Sequence, residues 1–271
     1  MHLYRPFGFA SLNAASFMPL SMRMRRYESY FARAQDVHIF RGVFESFEAA
    51  AASAPATKPL SYDNEGAATM YMSRLRTDSY DYPVMFWLQR YFNQGMRTVF
   101  DVGGSVGIKF FAFRRLVQFP EDIWLVEDMP TVVNQGRQFA KGHDDAQALR
   151  FTDSMADGNG LDIMLCSGSL QYLPQTLPEL VAGLRNPPGR LIVNTTPIHS
   201  ERSFFTLNTI GTAFCPYRVQ SRADFLGGMS RAGYKLRDHW ENAGKAMRIP
   251  FRSEYDVEAY SGFCFERAAH S

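Results

Sequence analysis

The stretch Val-Phe-Asp-Val-Gly-Gly-Ser-Val-Gly at residues 99–107 decides the fold. Its apolar start predicts a strand, its glycines predict a tight turn, and residues 108–116 predict a helix that leaves the turn. Glycine lets the backbone turn sharply and approach a ligand where a Cβ atom would clash. The free amides at the start of the helix can bind anionic or carboxylate groups. We therefore expect a ligand site at this turn.

Short apolar runs alternate with segments of helical length after this stretch, which is typical of strand–helix–strand units and a parallel sheet. The runs predict five parallel strands and then two late strands that pair antiparallel at one end: residues 98–102, 123–127, 148–151, 163–166, 190–194, 234–240 and 261–266. The sequence thus predicts an α/β fold with a doubly wound, mainly parallel, seven-stranded sheet.

The chain changes character near Gly95. The part before it is rich in Met and aromatic residues and predicts an N-terminal helical cap, with helices at residues 18–34, 44–54, 66–77 and 83–93. Pro83 suits a first helical turn, and Gly95 suits a helix end. We predict two regions, a cap or lid at residues 1–95 and a ligand-binding domain at residues 96–271.

Composition excludes several classes of protein. The net charge of +2 over 271 residues gives no bulk electrostatic argument for nucleic acid. The three cysteines are far apart and lack ligand spacing, which argues against a disulfide framework and a structural metal site. No apolar run is long enough to span a membrane, and no secretion signal is apparent, so we expect a cytoplasmic protein.

Acidic residues end the first two predicted strands. Glu127 lies about 20 or more residues past the glycines, where a carboxylate can accept hydrogen bonds from both ribose hydroxyls of a nucleotide-like ligand. Asp128 beside it is the less favoured partner. Asp101 can orient an ammonium group but would repel a diphosphate, and Ser105 and Val106 break the spacing of the dinucleotide fingerprint. The alternative is that Asp101 and Glu127 only cap helices.

Polar residues follow the fourth and fifth predicted strands. Because open α/β sheets bind ligands outside the carboxyl ends of their strands, these residues should line the ligand crevice. His199, in the polar stretch 194–203, is a candidate general base, although a single loop histidine is more often a hydrogen-bonding surface residue. The candidates after the fourth strand are Ser167, Ser169, Gln171 and Tyr172, and weaker candidates for the same pocket are Ser203, Asn134 and Tyr217.

With these residues, the chain resembles the class I S-adenosylmethionine (SAM)-dependent methyltransferases. More narrowly, it resembles a bacterial family of methyltransferases found in surface-glycan and specialised-metabolite pathways. The resemblance runs over residues 39–266 and is carried by residues 42–44, 101–107, 124–127, 150–151, 167–173, 196–197 and 216–218. Two departures stand out. Ser105 replaces a loop glycine of the superfamily, and Asn194-Thr195 replaces an Asp-Arg pair of the narrower family, which leaves the family's acceptor chemistry open.

The resemblance implies SAM as cofactor and assigns residues to it. The methionyl part would be held by the loop residues Asp101, Gly103, Gly104, Ser105 and Gly107. The ribose would be held by Glu127, with Asp128 beside it. The adenine would be bordered by Phe151 with Thr152 or Asp153, and Ser167, Ser169 and Tyr172 would lie near the sulfonium.

Two chemistries fit such a site. The first is methyl transfer to a small-molecule acceptor, which needs a base only if the acceptor must lose a proton. The second is implied by a resemblance to azetidine-2-carboxylate synthases: intramolecular cyclisation of SAM to azetidine-2-carboxylic acid with release of methylthioadenosine. In that reaction Asn134, Tyr172 and Ser203 could grip the amine and carboxylate, and residues 18–31 could form a lid. A third reading is a SAM-binding protein without catalysis. The sequence leaves the acceptor and the oligomeric state open.

Overall fold

The computed structural model describes residues 18–61, 63, 75–120, 124–143 and 148–268. Its strands are β1 (Val37–Phe44), β2 (Val99–Val102), β3 (Trp124–Glu127), β4 (Leu149–Thr152), β5 (Ile163–Ser167), β6 (Arg190–Thr196), β7 (Ile198–His199), β8 (Phe204–Ile210), β9 (Phe214–Ser221), β10 (Tyr234–Asn242) and β11 (Tyr260–Arg267). Its α-helices are α1 (Leu20–Phe31), α2 (Phe47–Ala52), α3 (Tyr82–Asn93), α4 (Ile108–Phe113), α5 (Pro130–Lys141), α6 (Leu177–Ala182) and α7 (Arg222–Arg231).

Seven strands form the main sheet in the order β10-β11-β6-β5-β2-β3-β4. Strands β2 to β6 pair in parallel, whereas β11 pairs antiparallel with both β6 and β10. The predicted doubly wound, mainly parallel, seven-stranded sheet is confirmed. The chain runs outward from β2 to β4 and then returns to β5, so the strand order reverses between β2 and β5. That reversal opens a crevice at the carboxyl ends of these strands.

Apolar side chains cover both faces of the main sheet, as a parallel sheet requires. One face packs against α3, α4 and α5, with Leu88 and Phe113 fully buried against it. The other face packs against α6 and α7, with Phe225 and Met229 buried against Phe263. Strand β2 is buried along its whole length, which fixes the glycine turn that follows it at the centre of the sheet.

A second sheet, in the order β1-β8-β9-β7, was not predicted from the sequence. Strand β1 comes from the N-terminal region and pairs antiparallel with β8, and β8 pairs antiparallel with β9. The apolar pattern missed these strands because β8 buries polar residues, Thr206, Asn208 and Thr209, as completely as its apolar ones. Residues 1–95 thus contribute a strand in addition to the predicted helices.

The helices of the N-terminal region agree with the sequence pattern in part. Helix α3 has Pro83 in its first turn, and Gly95 follows its end with φ of 89°. The predicted helix at 66–77 lies mostly outside the described residues, and residues 75–77 are not helical. Helix α1 packs on the second sheet, where the rings of Phe31 and Phe214 stack 5.1 Å apart. The division of the chain near Gly95 stays a prediction.

No helix among the described residues is long and apolar enough to cross a membrane.

Candidate active site

A cavity of about 590 Å³ opens at the carboxyl ends of β2, β5 and β6. The main sheet supplies one side through the glycine turn and the loop after β5. The second sheet and its surroundings supply the other side, through residues 215–217, Phe47 and Leu60. The volume falls within the range of small-molecule sites in proteins. Helix α1 contributes none of the described lining residues, so the structure does not place residues 18–31 as a lid on this cavity.

The glycine turn is held by close contacts. Gly103 has φ of 67°, and its N–H donates to the carbonyl of Glu127 at 2.8 Å. A Cβ atom at Gly103 would lie 2.4 Å from Cβ of Ser169, and one at Gly104 would lie 2.6 Å from Cγ of Asp101. Both glycines are therefore required so that the turn can pack over Asp101 and against the loop after β5.

Backbone strain concentrates at this cavity. Among the described residues, five other than glycine have positive φ, and the first four of the following line the cavity: His38 (60°), Ser61 (144°), Ser105 (56°), Thr195 (50°) and Phe251 (66°). Such conformations are costly, and they cluster where a function requires them. Ser105 adopts the left-handed conformation at the position where the superfamily has glycine, which explains how this departure is accommodated.

Asp101 lines the cavity beneath the turn and is only 1% exposed. Its Oδ2 accepts a hydrogen bond from Nε1 of Trp124 at 3.1 Å. Burial raises the pKa of its carboxyl to about 7, although the hydrogen bond from Trp124 and the charge of Lys109 oppose this rise. The carboxyl therefore loses its proton near neutral pH, and a cation bound beside it would favour the charged form.

Asp128, and not Glu127, is the acid after β3 that lines the cavity. Its Oδ2 accepts from the N–H of Ser105 at 2.9 Å, and its Oδ1 accepts from the N–H of Met129. Burial raises the pKa of Asp128 to about 6 and that of Glu127 to about 7. The sequence favoured Glu127, which is the last residue of β3, and its role in binding a ribose stays a prediction.

The residues expected around an adenine do not line this cavity. The Thr152 hydroxyl bonds to Asp157 and accepts from the N–H of Ser154, and Phe151 packs its ring over Gly136. Asp153 follows them on the exposed surface. Gly107 also lies outside the lining: it begins α4 with φ of 86°, and a Cβ there would lie 2.8 Å from Leu149.

The loop after β5 brings its polar residues to the cavity. Ser169 donates its hydroxyl to the carbonyl of Val102 at 2.6 Å, so this serine ties two loops together. In the part of the chain that the structure describes, Oγ of Ser105, Oγ of Ser167 and Oε1 of Gln171 are buried without a hydrogen-bond partner. Buried polar atoms are nearly always paired, so these three cavity-lining groups indicate a polar ligand.

Three tyrosines line the side of the cavity that meets the second sheet. The rings of Tyr172 and Tyr217 meet edge to face at 5.0 Å, and the hydroxyls of Tyr217 and Tyr260 are 2.8 Å apart. Asn208 donates to the Tyr172 hydroxyl at 3.0 Å. This side of the cavity is aromatic, and the sequence candidates Tyr172 and Tyr217 lie on it.

Three sequence candidates lie elsewhere. His199 accepts at Nδ1 from the N–H groups of Glu201 and Arg202, and its Nε2 lies 3.2 Å from the Glu254 carbonyl, so both ring nitrogens hold loop backbone. The Ser203 hydroxyl bonds to Asp224 and to the N–H of Ser221 at the start of α7. Asn134 lies on the exposed side of α5. The structure therefore does not bring these three residues to the cavity.

Two residues that line the cavity, His38 and Lys109, were not among the sequence candidates. His38 enters the lining from the irregular start of β1, where the register with β8 shifts. Lys109 enters it from the first turn of α4, and its ammonium lies 2.8 Å from both carboxylate oxygens of the buried Asp81. The sequence does show a lysine two residues after the glycine turn and an Asp-x-x-Asp capping pattern at residues 78–81. Neither pattern indicates that the side chains of Lys109 and Asp81 meet.

The sheet order and the crevice at its reversal define the fold of the class I SAM-dependent methyltransferases. No protein-family model and no curated protein sequence matches the chain. Its structure is similar to that of magnesium protoporphyrin IX methyltransferase (ChlM) from Synechocystis with bound SAM, with a TM-score of 0.50 and 14% identity, covering 76% of this chain and 93% of that one.

Two further solved structures show weaker similarity. One is a SAM-dependent methyltransferase from Clostridium acetobutylicum, with a TM-score of 0.47 and 8% identity, covering 74% of this chain and 98% of that one. The other is the mitomycin 7-O-methyltransferase MmcR, with a TM-score of 0.44 and 15% identity, covering 64% of this chain. The chain spans half the length of MmcR. At 14% identity, the similarity to the ChlM structure concerns the fold alone.

Proposed function

We propose that the protein is a SAM-dependent methyltransferase that acts on a small-molecule acceptor. The observation that carries the proposal is the cavity at the sheet reversal, where two buried acids and three unpartnered polar groups meet an aromatic side. In this fold, ligands bind at that crevice. A place in bacterial specialised metabolism is a further expectation that rests on the sequence resemblance alone.

The residues of the cavity fit SAM in charge and hydrogen bonding. Asp101 is suited to the α-ammonium group of the methionyl part, and Asp128 is suited to the ribose hydroxyls. The hydroxyls of Ser105 and Ser167 are unpartnered donors that suit the methionyl carboxylate. Binding would supply a methyl group on a positively charged sulfur, which is already activated for transfer.

The protein's own contribution is to position the acceptor and to exclude water. Tyr172, Tyr217 and Tyr260 form the aromatic side of the cavity, and an aromatic face can stabilise a nearby cation by about 0.5–2 kcal/mol when desolvated. Phe47, Ala51 and Leu60, together with Pro216 of β9, supply apolar surface beside them. His38 is the histidine among the described lining residues. An imidazole is the type of group that accepts a proton near neutral pH, so we assign His38 as the base for an acceptor hydroxyl or amine.

Mass spectrometry of the products tests the proposal directly. The protein would be incubated with SAM alone and then with pools of small hydroxylated, phenolic and amine compounds. Acceptor-dependent formation of S-adenosylhomocysteine and a product heavier by one methylene would support methyl transfer. If the enzyme forms methylthioadenosine and azetidine-2-carboxylate from SAM alone, the reaction is cyclisation and not methyl transfer. Tight binding without any product would indicate a SAM-binding protein that does not catalyse.

A further inference from the structure

A buried ion pair lies directly behind the candidate cofactor site. Nζ of Lys109 is 2.8 Å from both carboxylate oxygens of Asp81, and Asp81 is 0% exposed. Lys109 lines the cavity from α4, whereas Asp81 ends the 3₁₀ turn at Ser79–Asp81 that precedes α3. The pair therefore joins the N-terminal region to the helix that begins at the glycine turn.

Asn194 fixes the position of Asp81. Oδ1 of Asn194 accepts hydrogen bonds from Nε1 of Trp240 at 3.0 Å and from Nδ2 of Asn242 at 2.9 Å. Because an indole N–H can only donate, the oxygen of Asn194 must face Trp240 and its amide NH₂ must face Asp81. That NH₂ donates to Oδ1 of Asp81 at 3.2 Å. Asn194 therefore orients the buried carboxylate of Asp81.

Lys109 and Asp101 line the same cavity, so the lysine's charge lies in the surroundings of the Asp101 carboxylate. That charge is the cationic influence that opposes the effect of burial on the Asp101 carboxyl, whereas Asp128 adds a second negative charge nearby. The titratable or charged groups around Asp101 are Lys109 on α4, Glu127 on β3 with Asp128 after it, Cys166 on β5, Lys245 before β11, and Arg76, Asp78 and Asp81 from the segment before α3.

We propose that Lys109 is a positioning residue: Asp81 and Asn194 hold its ammonium beside the cavity, where it compensates the buried Asp101 carboxylate that receives the cofactor's α-ammonium group. This inference rests on the proposed function. Asp81 has a second role, because its direct ion pair with the Lys109 ammonium keeps the lysine from pairing with Asp101 in place of the ligand's ammonium. The buried pair thereby lets one carboxylate stay charged and still remain available to a cation.

The two members of the pair should respond to mutation in opposite directions. In Lys109→Met, Asp101 loses its compensating charge, so SAM binding should require a higher pH. In Asp81→Asn, Lys109 is released toward Asp101, so the pH midpoint of binding should fall while the affinity falls at every pH. Lys109→Arg keeps the charge and should keep the midpoint. A loss of packing alone would weaken binding without moving the midpoint.

The experiment is isothermal titration calorimetry of full-length protein with SAM between pH 5.5 and 8. We expect the midpoint to rise by about half a pH unit or more in Lys109→Met and to fall in Asp81→Asn. Lys141→Met, on the exposed end of α5, is the matched control and should leave the profile unchanged. Lys109→Gln replaces Lys109→Met if that variant does not fold. Unmoved midpoints in both pair variants would overturn the inference, whereas wild-type protein without SAM affinity at any pH would remove the proposed function and this inference with it.

Discussion

The carboxylate of Asp128 accepts a hydrogen bond from the backbone N–H of Ser105 at 2.9 Å. This contact joins the acid after β3 to the left-handed residue of the glycine turn. One hydrogen bond therefore connects the residue proposed for the ribose, Asp128, to the turn proposed for the methionyl part. Asp128 also borders the cavity, whereas the neighbouring Glu127 does not.

Asp128→Asn should weaken SAM binding tenfold or more, because the amide cannot accept two ribose hydrogen bonds as a carboxylate does. The Asn oxygen can still accept from the N–H of Ser105, which keeps the turn, whereas its NH₂ replaces the oxygen that accepts from the N–H of Met129. Glu127→Gln is the matched control and should change the dissociation constant less than threefold. Calorimetry decides between them, and a larger effect at Glu127 would restore the assignment made from the sequence.

Ser105→Gly should leave the free energy of unfolding unchanged or raise it by up to about 1 kcal/mol, because glycine adopts φ of 56° without strain. Ser105→Val should lower it by more than 1 kcal/mol, because a β-branched residue is poorly tolerated there. Urea denaturation of the apo protein measures both. Equal stabilities for the glycine and valine variants would show that the strain at this position is absent in solution.

The apo protein should lose stability as the pH rises from about 5 to about 7.5. Burial raises the pKa values of Asp101 and Glu127 to about 7 and that of Asp128 to about 6, above the values near 4 in an unfolded chain. In this window the folded state holds protons that the unfolded state has released, so the free energy of unfolding falls with rising pH. Urea denaturation at fixed pH values measures this dependence, which should be shallower in the double variant Asp101→Asn/Asp128→Asn. A steeper dependence in that variant would contradict the expectation.

Substitution of His199 should affect the stability of the protein, whereas substitution of His38 should affect its activity. His199→Ala should lower the melting temperature, because its ring holds three backbone groups, but it should not change SAM affinity. His38→Asn should reduce methyl transfer at least tenfold with little loss of stability, since asparagine tolerates the left-handed backbone. Thermal unfolding and product formation would be measured on both variants. A normal rate in His38→Asn would exclude a proton-transfer role for this residue.

The sequence predicted the main sheet well because its five parallel strands, β2 to β6, are short apolar runs between segments of helical length. Strand β2 and the glycine turn form one local unit, so Asp101, Gly103 and Gly104 could be placed from their spacing alone. Strands β1 and β8 could not be predicted, because they bury Thr206, Asn208 and Thr209 through hydrogen bonding and pairing and not through an apolar pattern.

The limits of prediction in the site have a similar physical origin. Which of the adjacent Glu127 and Asp128 borders the cavity depends on the path of the chain where β3 ends, and the apolar pattern does not give that path. The contact of Lys109 with Asp81 joins residues 28 positions apart in different elements, and only the fold brings them together. His199 was a reasonable base by type, but its ring is engaged in holding its own loop.

The pairing of β1 with β8 has a consequence for synthesis of the chain. The Thr206 hydroxyl donates to the Arg41 carbonyl across 165 residues of sequence, so β1 leaves the ribosome long before its partner exists. The cofactor side of the cavity, built on β2 to β5, can assemble in the meantime from neighbouring segments. The aromatic side must close last, and until then β1 exposes an unpaired edge that favours association with other chains.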